Sequence, residues 1–242
     1  MNLKILLITC NKNIKLLQIY FWMKKNIPYV STLMFMAGCI SSYESEYRKF
    51  DLEIGDIIEF GEYNWLVLNI EKEQALLISQ NIINRRPISL STNDHTWKNS
   101  CIRHWLNNDF YNTFDISDRN MIIPTEVINS NNKWFESYAG YDTIDYIFLL
   151  SIDEVLQYLG GGAISYIVDG SGNLVGVSDE KAYKRIALSM IQNEHWWWLR
   201  SPGQHDNFNA NVLLDGSVNI QGVHSNALAG GVRPALWISL TP

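Results

Sequence analysis

The sequence is poor in cysteine, proline and charge. Three cysteines, Cys10, Cys39 and Cys101, stand among 242 residues, too few for a disulfide-knit scaffold. Six prolines and fifteen glycines exclude a collagen-like or proline-rich chain. Charged residues make up 18% of the chain, and Lys+Arg (19) are outnumbered by Asp+Glu (25). That acidic balance excludes the basic face on which non-specific nucleic-acid binding depends, so no nucleic-acid partner is expected. Long apolar runs are missing as well, which excludes a polytopic membrane protein. The five histidines show no zinc-type spacing with each other or with cysteine, and no G-x-S-x-G elbow occurs. No metal or cofactor is expected. What remains is 47% apolar residues, 12% of the chain aromatic. This is enough to build a sizeable core in one large domain or two small ones.

The charge is distributed unevenly. Residues 1–38 hold Lys4, Lys12, Lys15, Lys24 and Lys25 and no acidic residue. Residues 39–242 therefore carry 14 basic and 25 acidic groups, a net charge of −11. Read from Met23, a basic pair (Lys24, Lys25) precedes a mostly apolar stretch, Ile27 to Met36, and then Met36-Ala37-Gly38-Cys39. This arrangement resembles a bacterial lipoprotein signal peptide over residues 23–38. The resemblance implies cleavage before Cys39 and lipid attached to its thiol. Ten residues of helix span about 15 Å, half of a bilayer core. Such a stretch anchors poorly, and acyl chains on Cys39 would hold the protein instead. Residues 39–47 then read as a polar tether. Residues 1–22 read as an over-extended start, because a signal from Met1 would be unusually long. The alternative is a buried N-terminal helix with an incidental Ala-Gly-Cys.

The remaining stretch, 48–242, reads as one α+β domain of antiparallel strands with a few short helices. Leu52–Phe60, Tyr63–Ile70 and Gln74–Gln80 read as a meander, and Asn84–Asn93 as a polar loop. A helix capped by Asn99 or Ser100 is expected to run to about Phe114, with Cys101, Trp105 and Leu106 on one face and Cys101 buried. Ser117-Asp118 is expected to cap a second helix. Ile144–Leu150 reads as a strand, and Ser151 with Glu154 as a capping box. A helix is expected over Asp179–Ile191. Hairpins are expected around Asp169–Asn173 and Asp215-Gly216, and a last strand over Val232–Leu240.

Several segments together resemble a bacterial family, the domain of unknown function numbered 6273. They are Trp65-Leu66-Val67-Leu68, Ala75-Leu76-Leu77-Ile78-Ser79, Trp97, Ser100, Arg103-His104-Trp105-Leu106-Asn107-Asn108, Phe148-Leu149-Leu150-Ser151, Trp197-Trp198-Leu199-Arg200-Ser201-Pro202-Gly203 and Gly231-Val232-Arg233-Pro234-Ala235-Leu236-Trp237. Residues 160–177 depart from that pattern and read as a local insertion. The closing layout is also similar to C-type-lectin-like and formylglycine-generating-enzyme-like domains, at the level of fold alone.

The conspicuous chemistry is Trp196-Trp197-Trp198. On a strand Trp196 and Trp198 share a face. As an exposed pair they would stack on a sugar; the alternative is that one side of the strand packs in the core and the loop after Gly203 covers the other. Arg200, His205, Asp206 and Asn209 complete the candidate ligand-binding set, on loops Ser201–Asn209 and His224–Gly230. Trp105, Trp197, Arg233 and Trp237 are expected to be structural, and Arg200 and Arg233 to find partners such as Asp145 or Asp153. Asp169, Ser171, Asn173 and Glu180 have calcium-loop spacing, but Leu174 and Val177 fill positions that need Gly and an oxygen, so a plain hairpin is the reading. These residues favour an extracytoplasmic, membrane-anchored lipoprotein of the bacterial cell envelope. Its module would bind a glycan, a peptide or another envelope protein. An enzyme of formylglycine-generating type is the alternative; the resemblance implies that it would need a reactive cysteine pair or metal-bound thiolates. A purely structural envelope protein is the third reading.

Overall fold

The computed structural model describes residues 52–90, 95–189, 193 and 195–241. The expected start, signal peptide, lipid-bearing Cys39 and tether lie outside the described residues.

The meander forms, with its first strand beginning at Ile57 rather than Leu52. Strands β1 (Ile57–Phe60), β2 (Tyr63–Glu71) and β3 (Gln74–Ser79) pair antiparallel. Ala75 to Ser79 are all buried, the pattern of a strand covered on both faces. The polar loop that follows contains a two-residue strand, β4 (Asn84–Arg85).

Ser100 caps the first helix by accepting a hydrogen bond from Arg103 N (3.2 Å), and α1 spans Cys101–Trp105. The chain continues through a π-helical turn at Leu106–Phe110 and a 3₁₀ turn at Tyr111–Thr113, so the helical run ends where the apolar spacing predicts. The wide turn presents Asn107 to a neighbouring segment: its Oδ1 accepts from Tyr146 N (2.7 Å) and Ile147 N (3.2 Å), and its amide donates to Ile147 O (2.8 Å). The second helix, α2 (Ile116–Met121), is capped by Asp115, whose side chain accepts from Asp118 N (2.8 Å). This corrects the expected Ser117-Asp118 cap by two residues; Asp118 lies inside the first turn.

Strands β5 (Ile122–Ile123), β6 (Thr125–Val127) and β7 (Thr143–Asp145) follow. The single strand expected over Ile144–Leu150 breaks after Asp145, because Asn107 takes the N–H groups of Tyr146 and Ile147 that a ladder would use. Phe148 then makes an isolated bridge to Ala235. The capping box is present: α3 (Ile152–Leu159) begins at Ser151, with Ser151 Oγ accepting from Glu154 N and Glu154 accepting from Ser151 N.

Strands β8 (Ser165–Val168) and β9 (Leu174–Ser178) form the expected hairpin. Asp169 closes its turn, accepting from Ser171 N, Asn173 N and Asn173 Nδ2. These bonds, the Asn173 side chain first, hold its carboxyl below the usual carboxylate range. Glu180 lies past the other end of β9, against Gly162, so the calcium-type spacing does not gather into one loop.

The helix expected over Asp179–Ile191 is absent among its described residues, which hold one 3₁₀ turn, Ala182–Arg185. Tertiary bonds override the helical spacing here. The buried Arg185 side chain donates to Asp179 (2.6 Å) and to Gly216 O (2.6 Å), and its carbonyl accepts from Trp197 Nε1 (2.9 Å).

The last strands are β10 (Trp197–Pro202), β11 (Phe208–Val212), β12 (Val218–His224), β13 (Gly231–Val232) and β14 (Ala235–Ser239). They build a seven-stranded sheet, β4-β13-β10-β11-β12-β9-β8, beside a five-stranded sheet, β1-β2-β3-β14-β5. The expected single strand over Val232–Leu240 is thus two strands in two sheets. The crossing is Arg233-Pro234, where proline interrupts the ladder. Buried Arg233 fastens it by donating from Nε to Ser79 O (2.8 Å). Antiparallel pairing dominates, with β10–β13 parallel, giving the α+β single domain that the sequence predicts.

Candidate functional site

Three loops meet at one end of the seven-stranded sheet. The first joins β10 to β11 and is held by Gly203 N donating to Phe208 O (2.7 Å) and Phe208 N to His205 O (2.9 Å). The second follows β12, and Ser225 N donates to Asn207 O (2.9 Å) across to the first. These are the loops that the sequence singles out. The third, residues 129–142, carries no such expectation. Buried Asn132 ties it in by donating to Pro202 O and Ile220 O, both at 2.9 Å, and Ser137 Oγ donates to Gln204 O (3.2 Å). Asn131 Oδ1 accepts from Ala139 N (3.0 Å), and Gly140 (φ +89°) turns the chain against Thr96, a conformation that glycine adopts without strain.

The outer surface of this junction is aromatic and polar. Phe208 lies between His205 (5.4 Å between centroids) and His224 (4.8 Å), and Asn207 Nδ2 sits 3.1 Å from His224 Nε2. Tyr138 (56% exposed) and Tyr141 (71% exposed) meet edge to face at 6.4 Å, with Lys98 Nζ 5.1 Å from the Tyr141 ring. Gln204, His205, Asp206 and His224 are exposed on the first two loops. Exposed tyrosines supply large contact area at low entropic cost, and side-chain amides add adaptable hydrogen bonds. The sequence does hold a signal for the third loop: two tyrosines flanking Ala139-Gly140, in a stretch too polar and turn-rich to bury them.

The sequence-selected residues divide between this face and the core behind it. His205 and Asp206 are on the face. Asn209 is buried, its Oδ1 accepting from Ser225 Oγ (2.7 Å), so it braces the two loops from beneath. Arg200 is buried and pairs with Glu154 (Nη2–Oε1 2.8 Å), while Nη1 donates to Leu149 O (2.7 Å) and Nη2 to Ile128 O (3.0 Å). Asp145 and Asp153, the expected partners, are engaged elsewhere. Asp145 accepts from Trp97, Thr143 and Arg103, and Asp153 pairs with exposed Lys133.

The tryptophans are corrected most. Trp198 is wholly buried, its Nε1 donating to Arg86 O (2.8 Å), and only Trp196 is half-exposed, between His195 (5.8 Å) and the edge of Trp198 (4.8 Å). Alternation puts one face of a strand in water only when the sheet has an open side. All six residues of β10 are buried, so neighbouring side chains cover both sides of the strand. Trp197 is buried against Arg233, which stacks over it at 5.1 Å and whose guanidinium burial lowers to about 10. Trp105 is half-buried beneath Arg86 (4.2 Å), and Trp237 is half-buried on β14.

Cys101 is exposed rather than buried, at the first position of α1, with its thiol 3.2 Å from Ile88 O. A cavity of about 10 Å³ at the start of α3, between Asn132, Lys133, Ser151 and Ser201, has room for about one water. Among the described residues no cluster of His, Cys, Asp and Glu could hold a metal ion, and no helix is long and apolar enough to cross a membrane.

Residues 72–240 match the family described as a domain of unknown function (DUF6273). The chain belongs to this family. The DUF6273 match opens at the turn between β2 and β3, so Trp65 to Leu68 precede it. It covers all three loops of the aromatic face. No curated protein and no solved structure matches the chain.

Proposed function

We propose that this DUF6273 protein is a lipid-anchored lipoprotein of the bacterial cell envelope whose domain binds a glycan through the three-loop face. The observation that carries the binding reading is that the three joined loops present two aromatic groups, Tyr138–Tyr141 and His205–Phe208–His224, together with exposed Gln204 and Asp206. Sugar rings offer apolar C–H faces to such rings and hydroxyls to such polar groups. A peptide or an envelope protein is the other class of ligand that this face fits. The anchoring reading rests on Met36-Ala37-Gly38-Cys39 and on the basic charge confined to residues 1–38. The net charge of −11 after residue 38 works against adhesion to anionic lipid, so the lipid on Cys39 would hold the protein at the membrane.

Each half has its own test. Radiolabelled palmitate is expected to enter the protein in a bacterial host and to be lost in Cys39→Ala; label that persists in the variant refutes lipidation at that residue. On arrays of envelope glycans and peptides, saturable binding to a glycan is expected, with affinity reduced about tenfold in Tyr141→Ala, a loss typical of an exposed aromatic anchor. Binding to peptides alone, or binding indifferent to Tyr141, refutes the glycan reading.

A further inference from the structure

Among the described residues, the seven-stranded sheet ends in an unguarded edge. Strand β8 pairs with β9 on one side and with nothing described on the other. Half of its N–H and C=O groups therefore point outward, in the arrangement that templates a further strand. Proteins commonly blunt such edges with lysine, proline or an inward charge. None is present within this edge: residues 160–168 read Gly-Gly-Gly-Ala-Ile-Ser-Tyr-Ile-Val, uncharged throughout. Of the charges nearest to it, Asp169 is committed to its own turn, and Lys181 and Glu180 lie against Gly161 and Gly162, ahead of the strand. Ile164 (42% exposed), Tyr166 (65%) and Val168 (58%) alternate along one exposed face.

We propose that β8 is a self-association edge, at which a second copy of this chain adds its own β8 antiparallel across a two-fold axis. The chemistry favours a second copy over an unrelated strand. A symmetric contact sets each group against itself or its mirror position, so a strand with charged side chains would repel its copy; β8 itself, Ser-Tyr-Ile-Val, has none. With Tyr166 at the axis, Ile164 of each copy lies opposite Val168 of the other, joining the two apolar faces into one face of six side chains with β-branched and aromatic cross-strand pairs. The contact lies on the hairpin of residues 160–177, outside the three-loop face, and is independent of what that face binds.

The test uses the full chain with Cys10, Cys39 and Cys101 replaced by Ser, carrying Ile164→Cys, Tyr166→Cys or Val168→Cys, with Ile116→Cys as an exposed control. After mild oxidation, disulfide-linked dimer is expected to be greatest at Tyr166→Cys and about tenfold above the control, as a held pairing raises effective thiol concentration. In sedimentation of the native chain, Tyr166→Lys is expected to abolish a concentration-dependent dimer while leaving circular dichroism unchanged. Cross-linking no greater than the control, a native chain that is monomeric throughout, or a dimer that survives Tyr166→Lys each overturns the proposal.

Discussion

Replacing Glu154 with Ala is expected to lower the unfolding free energy by about 3 kcal/mol, the low end for breaking a buried ion pair. The residue has two roles. One carboxylate oxygen accepts from Ser151 N (2.8 Å), completing the cap of α3. The carboxylate also pairs with Arg200, whose side chain is 3% exposed. Without Glu154 the guanidinium stays buried with only carbonyl partners, Leu149 O and Ile128 O, and a buried Nε that already has none. The Glu154 side chain is 28% exposed, so water partly compensates the loss, which places the effect at the low end of the range. Lys133–Asp153 is the internal control: it is exposed on both sides, and Asp153→Ala is expected to change stability by no more than about 0.5 kcal/mol. Urea midpoints at constant m-value measure both. A Glu154→Ala loss below that of Asp153→Ala would show that the buried pair contributes nothing beyond a surface bridge.

Trp198→Ala is expected to cost about 3–5 kcal/mol, the range for emptying an aromatic core site, and Trp196→Ala much less. Trp198 is wholly buried, and Gly230 lies flat against its indole, where any Cβ would collide. Removing the ring opens a cavity beneath the β12–β13 loop and strands the Arg86 carbonyl. Trp196 is half-exposed and rests on the edge of that ring. The two variants therefore separate a core role from a surface role within one tripeptide. Equal losses, read from thermal or urea unfolding, would contradict the burial assigned to Trp198.

These two sites also show where the sequence was legible. Period-2 alternation, turn residues and the Ser151–Glu154 box each act within a few residues, and the meander, the hairpins and α3 they predict are present. Apart from the α2 cap, which shifts by two residues to Asp115, the main failures are tertiary. Asp179–Ile191 has helical spacing, but Arg185 is drawn to Asp179 and Gly216. Ile144–Leu150 has strand composition, but Asn107, some forty residues earlier, takes its N–H groups. Trp198 lies on the expected strand, and of its two readings, exposed pair or core, its burial supports the core one; alternation cannot choose between them, because it does not say whether a sheet has an open side. Within the site, His205 and Asp206 were legible as loop polar residues. Tyr138 and Tyr141 are marked as exposed by their polar, turn-rich stretch, but nothing local places their loop beside the other two, because the tie between Asn132 and the carbonyls of Pro202 and Ile220 leaves no mark in local pattern.

The central claim is that the junction of loops 129–142, 202–208 and 224–230 is a binding face. Its most direct test is to follow the ring resonances of Tyr138, Tyr141, His205, Phe208 and His224 by NMR while titrating an oligosaccharide chosen by the array. Saturable shifts confined to these rings are predicted, with Trp105 and Trp237 unmoved. Shifts at Trp105 or Trp237 without movement of the five, or no shift at any ring, would contradict it.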